Sequence, residues 1–217
     1  MTQLIAEELI LLIYGTDGTA RRKGMRLDLA IGGALLLQLV QDGHLELVDK
    51  KIEATGKPDR PAHPELAAAL AIAEVKPRSP GALLTKLTRK TRRRLLDGLV
   101  ASRVLATQPR APFGKRYPLA DPAPRDRALR RLRVAVIDGG QPDQRTATLI
   151  SMIQAAGLAS RIFPDDDQKA VKARLAQLAE ADPESEPVRK AIQAAIMSQI
   201  VGIVIQVVIM VVSSSGD

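Results

Sequence analysis

Residues 81–102 read GALLTKLTRKTRRRLLDGLVAS. At about 100° per residue, Leu84, Leu87, Thr91, Leu95 and Leu99 share one stripe of a helix. Lys86, Arg89, Arg92 and Arg93 fall on the other side. The segment is therefore expected to be one amphipathic helix with its leucines in a core and its cations toward solvent. Upstream, residues 4–13 make an apolar first helix closed by Gly15, and Leu27–Gln41 a second, ended by Asp42-Gly43. HLELV (44–48) alternates as a short strand does, and residues 50–64 read as a loop. ELAAALAIAEV is a third helix started by Pro64.

Downstream, residues 104–122 are extended and broken by prolines, with Pro109 and Pro112 arguing against a long regular hairpin. Helices are expected over 125–137, 146–157 and 165–179, and SEPVRKAIQAAI (185–196) opens an apolar terminal helix over about 188–212. The fold class is mainly α, a single compact helical domain across 1–217 with a few short β-strands or a hairpin. Composition agrees: the chain is 46% hydrophobic but has only four aromatic residues, Tyr14, Phe113, Tyr117 and Phe163. A core of Leu, Ile, Val and Ala suits packed helices. No cysteine is present, which removes disulfides, thiolate nucleophiles and sulfur-ligated zinc.

Charge is concentrated. Residues 76–133 hold 17 basic and three acidic side chains, a net of +14, while the remainder is net −6. A cationic face of that size attracts polyanions. Arg89 and Arg92, three apart, stand about 60° apart around a helix and can reach one anion together. Guanidinium forks match phosphate bidentately. Lys90, Arg93 and Arg94 enlarge the patch, and Arg21, Arg22 and Lys23 add a second cluster from a loop.

Catalytic machinery is thin. His44 and His63 lack a nucleophile or acid at a recognised spacing and read as surface or turn histidines. Asp165, Asp166 and Asp167 precede a helix and read as a cap rather than a cation site. The glycines at 15–18 and 139–140 lack the strand–glycine–helix frame of a phosphate loop. No metal, cofactor or enzymatic activity is expected. Glu7 and Glu8 do not suit a signal peptide, so a cytoplasmic location is expected. Residues 200–212, IVGIVIQVVIMVV, are shorter than the about 20 a membrane span needs and read as a buried terminal element.

Three partner classes fit the cations. One is an anionic membrane lipid, its phosphate held by arginines. Another is nucleic acid, because a basic helix followed by an extended hairpin has a winged-helix layout; the scarcity of stacking aromatics weighs against it. The third is an acidic protein for which this chain is a scaffold.

The segments AEELILLIYGTDG, GGALLLQLVQDGHLEL, RRRLLDGLVASRVL, RYPLADPAPR and PDQRTATLISMIQAAGL with IFPDD, in that order, resemble the Golgi phosphoprotein 3 family in its shorter bacterial branch. The resemblance implies a mostly helical protein, peripheral to membranes, that binds phosphatidylinositol 4-phosphate; in eukaryotes the family retains glycosyltransferases as an adaptor. It implies membrane-protein cytoplasmic tails as partners and leaves homo-oligomer formation open. Its lipid pocket uses a tryptophan, an arginine on the second helix and an arginine pair three apart. The pair falls on Arg89 and Arg92, whereas Lys23 and Gly32 stand at the other two positions. The family's apolar hairpin corresponds to ATQPRAPFGKRYPL, where Phe113 is the expected membrane contact. In this family the terminal helix is buried.

Overall fold

The computed structural model describes residues 3–14, 18–19, 24–87, 89–110, 114–180 and 187–200. Helix α1 (Ile5–Tyr14) carries apolar side chains all round and is buried along its entire length. Two carboxylates are buried with it. Glu7 accepts from the Leu4 N–H at 2.9 Å, closing the first turn, and Glu8 lies between Arg131 at 2.9 Å and Arg145 at 3.1 Å. These acids, which at sequence level argue only against a leader, bind α1 to its neighbours.

Helix α2 (Gly24–Gln41) is the central element, buried from Leu27 to Leu37. It packs on α1, on α3 (Pro64–Glu74), on α4 (Pro80–Lys86), on α5 (Arg89–Ala101) and on α7 (Gln144–Ala155). Gly32 and Gly33 make that packing feasible on two sides. A Cβ at Gly32 would lie 3.1 Å from the Leu87 carbonyl, and one at Gly33 would lie 2.6 Å from Met152 Sδ.

Two expectations need correction. Residues 81–102 are not one helix: α4 ends at Lys86, Leu87 leaves helical geometry (φ −94°, ψ 57°), and α5 restarts at Arg89. The leucine stripe survives the break, with Leu84, Leu87, Thr91, Leu95 and Leu99 all buried. Residues 50–64 are not all loop. β1 (Leu45–Val48) and β2 (Lys51–Ala54) form an antiparallel hairpin with Leu47 opposite Ile52. Asp49 and Lys50 turn it with φ of 47° and 63°, the geometry of a type I′ turn made without glycine.

The second hairpin is as short as its prolines imply: β3 (Gln108–Pro109) pairs with β4 (Lys115–Arg116). Beyond it come α6 (Ala123–Val136), α7, a four-residue α8 (Ala159–Ile162) and α9 (Gln168–Glu180). Asp167 caps α9, accepting from the Lys169 and Ala170 N–H groups at 2.8 and 3.3 Å. A last helix, α10, spans 187–200 and buries Val188, Ile192 and Ile196. Its polar residues are used too: Gln193 donates to Ser151 Oγ at 3.1 Å and Gln199 to the Gly81 carbonyl at 2.9 Å. The apolar block 201–212 lies outside the described residues. No described helix is long and apolar enough to cross a membrane.

Candidate functional site

Because α4 stops and α5 restarts beside the first turn of α2, three element ends meet at one place. They enclose a cavity of about 680 Å³ lined by Gly24, Met25 and Asp28 of α2, Thr85 and Lys86 of α4, and Lys90 and Arg92 of α5. Two of these helices begin there, with the positive ends of their dipoles toward the cavity, and the short α4 ends there. Three cations and one carboxylate line the cavity, a local excess of two positive charges.

Arg92 is not a free surface cation. Its Nε lies 3.2 Å from Asp28 Oδ1, its Nη1 donates to the Gly24 carbonyl at 3.1 Å, and its side chain is only 17% exposed. The sequence placed it on the solvent side; the break at Leu87 and the carboxylate on α2 draw it inward, where it ties α5 to α2. Lys86 and Lys90 are exposed and have no carboxylate partner among the described residues. Arg89 opens α5 one residue before Lys90; its side chain, with Arg21, Arg22, Lys23 and Phe113, lies outside the described residues.

Tyr14, at the end of α1, does not line the cavity but lies near enough to feel the charges of Arg92 and Asp28. Burial pushes its hydroxyl above the ordinary tyrosine range, while the nearby Arg92 guanidinium opposes that shift. Its ring meets Tyr117 edge to face, centroids 5.9 Å apart. The Tyr117 N–H donates to the Gly18 carbonyl at 2.9 Å, so the second hairpin is held against the chain between α1 and α2.

The broad cationic face expected over 76–133 is partly neutralised within the fold. Arg94 forms a bidentate pair with Glu65 at 2.6 and 2.8 Å, Arg131 pairs with Glu8, and Arg133 with Asp166 at 3.0 Å. Arg93 faces Asp97 at 4.0 Å in the open, an arrangement worth little. The acidic body is thus drawn onto the basic middle, and free positive charge remains in patches such as Lys86 and Lys90.

His63 Nδ1 accepts from the Glu65 N–H at 3.1 Å and caps α3. His44, expected as a surface or turn histidine, lies in the turn after α2 but is 4% exposed; its N–H donates to the Leu39 carbonyl at 2.8 Å and its carbonyl accepts from the Thr55 N–H at 3.1 Å. Among the described residues no group of three or more His, Cys, Asp or Glu could hold a metal ion.

Of the residues that line this cavity, the sequence singles out Arg92 and Lys90 as phosphate-binding candidates, places Lys86 only among the solvent-side cations, and gives no signal for Asp28, Thr85 or Met25. Gly32 sits close against Leu84 and Leu87: a Cβ there would lie 3.2 Å from Leu84 Cδ2 and 3.1 Å from the Leu87 carbonyl oxygen. No curated protein matches the chain. The family model described as Golgi phosphoprotein 3 (GPP34) matches residues 5–195, and the chain belongs to that family.

Proposed function

We propose that this chain is a peripheral membrane protein that takes the phosphate of an anionic phospholipid headgroup into the cavity between α2 and the α4–α5 junction, acting as an adaptor rather than a catalyst. The observation that carries the reading is the cavity itself: Lys86, Lys90 and Arg92 converge on it at the start of two helices. Arg89 completes the cationic set from the first position of α5, and Arg21, Arg22, Lys23 and Arg93 supply electrostatic support. Phosphatidylinositol 4-phosphate or a similar phosphoinositide is the headgroup the family suggests, presented on a cytoplasmic membrane face. Phe113 is the apolar contact, and cytoplasmic tails of membrane proteins are the cargo.

Co-sedimentation with vesicles tests it, using neutral phosphatidylcholine, phosphatidylglycerol, and phosphatidylinositol 4-phosphate at matched charge. The expected result is binding to anionic vesicles, strongest for the inositide, and lost in Lys86→Gln/Lys90→Gln. Absence of binding to every vesicle overturns it. DNA binding that falls steeply with salt would instead favour a nucleic-acid partner.

A further inference from the structure

The first turn of α2 borders a second basic cavity. Gly24 and Asp28 face the cavity described above, and Arg26 lies about 160° around the helix from both. There it lines a separate hollow of about 430 Å³ together with Gln154, Gly157, Ser160 and Lys172. The lining contains two cations and no carboxylate.

Arg26 is held but not neutralised. Among the described residues its hydrogen bond goes to the Ala156 carbonyl at 3.4 Å, and no carboxylate lies within ion-pair distance. Gly157 makes room for it: with φ at +63°, a Cβ there would fall 2.8 Å from Arg26 Nη1. Most arginines of α5 and α6 that lean on the fold are met by an acid, as Arg92, Arg94, Arg131 and Arg133 are. A half-buried guanidinium without one, beside a lysine, a hydroxyl and an amide, suits a tetrahedral oxyanion.

Met25, next to Arg26 in the chain, lines the first cavity and is 50% exposed. An exposed apolar side chain beside two basic hollows suits a bilayer surface, where acyl chains and headgroup phosphates are met together.

We infer that Arg26 and Lys172 form a second subsite, for the phosphate of a neighbouring anionic lipid, and that the first turn of α2, led by Met25, is the membrane-facing tip of the protein. This rests on the proposed role of the first cavity, which it extends from one lipid to two.

The test compares wild type with Arg26→Gln/Lys172→Gln, and with Lys172→Glu as a surface change that leaves packing intact. Binding is read on vesicles of graded phosphatidylglycerol content and, separately, on the soluble headgroup glycerophosphoinositol 4-phosphate. Vesicle affinity is expected to fall about 10- to 30-fold in the double variant and to depend less steeply on phosphatidylglycerol content. Headgroup binding at the first cavity is expected to stay unchanged. Vesicle binding equal to wild type in both variants overturns the second subsite while leaving the first cavity standing. Failure of wild type to bind any vesicle overturns both. Weaker binding of inorganic phosphate with unaltered vesicle binding overturns the lipid source. The sequence has no tryptophan, so Met25→Trp adds a unique fluorophore: its emission is expected to shift to the blue on vesicles, and an unshifted spectrum in the bound state overturns the tip placement.

Discussion

Replacing Arg92 by glutamine removes a guanidinium that serves two purposes, and the structure allows the two effects to be separated. Asp28 is 7% exposed in its side chain and Arg92 17%, with 3.2 Å between Nε and Oδ1. Stripping one partner from a fully buried pair costs about 3–5 kcal/mol. The residual exposure of Arg92 puts this pair at about 2–3 kcal/mol, or a fall in Tm of about 5–10 °C for a domain of this size. Asp28→Asn leaves Arg92 free to turn to solvent and is expected to cost about 1 kcal/mol or less. Asp28→Asn/Arg92→Gln should therefore melt above Arg92→Gln alone, because the carboxylate that loses the Arg92 guanidinium is itself gone. Headgroup affinity should follow a different order. Asp28→Asn removes the carboxylate that competes with phosphate for Arg92 and should raise affinity about fivefold. Both variants lacking Arg92 should bind weakly, including the one whose stability is restored. Thermal melts and vesicle titrations on the same four proteins read both quantities. An Arg92→Gln protein that melts with wild type would refute the structural role, and weaker binding by Asp28→Asn would refute the competition.

Glu8→Gln should cost about 3 kcal/mol in urea unfolding, because Arg131 and Arg145 both close on a carboxylate that is 6% exposed; a change below about 1 kcal/mol would contradict that placement. Asp143 caps α7, accepting from the Thr146 N–H at 2.8 Å. Burial works against its charged form, but Thr146, Arg131 and Arg145 outweigh it and hold its pKa below the usual aspartate value. Its contribution to stability is thus present above the unfolded pKa of about 3.9 and lost as pH falls through the lower folded value. Asp143→Asn, still a good cap, should flatten the acid limb of the stability profile, and an unchanged limb would exclude the role. Gly32→Arg should destabilise by about 2–3 kcal/mol and give no gain in headgroup affinity. A stable variant with tighter binding would show that α2 does not approach Leu87 as closely as described.

The fold was largely legible because its signals are periodic. The stripe from Leu84 to Leu99 reports burial whether the helix is continuous or broken, so it carries no sign of the break at Leu87, which no glycine or proline marks. The first hairpin was half visible, since Lys51–Ala54 offers only Ile52 as a large apolar residue and its turn, Asp49-Lys50, lacks glycine. The site was less legible than the fold. Arg92 and Lys90 stood out by charge density, but the carboxylate opposing Arg92 is 64 positions away on α2, and spacing along one helix cannot reveal it. Glu8 illustrates the same limit, an acid in an apolar helix whose purpose appears only when α6 and α7 bring their arginines to it.

The most direct test of phosphate binding between α2 and the α4–α5 junction is a ¹H–¹⁵N NMR titration with glycerophosphoinositol 4-phosphate. Shifts concentrated at Gly24, Met25, Asp28, Lys86, Lys90 and Arg92 are the expected result. Saturable binding with shifts elsewhere, or no binding at millimolar headgroup, would contradict it.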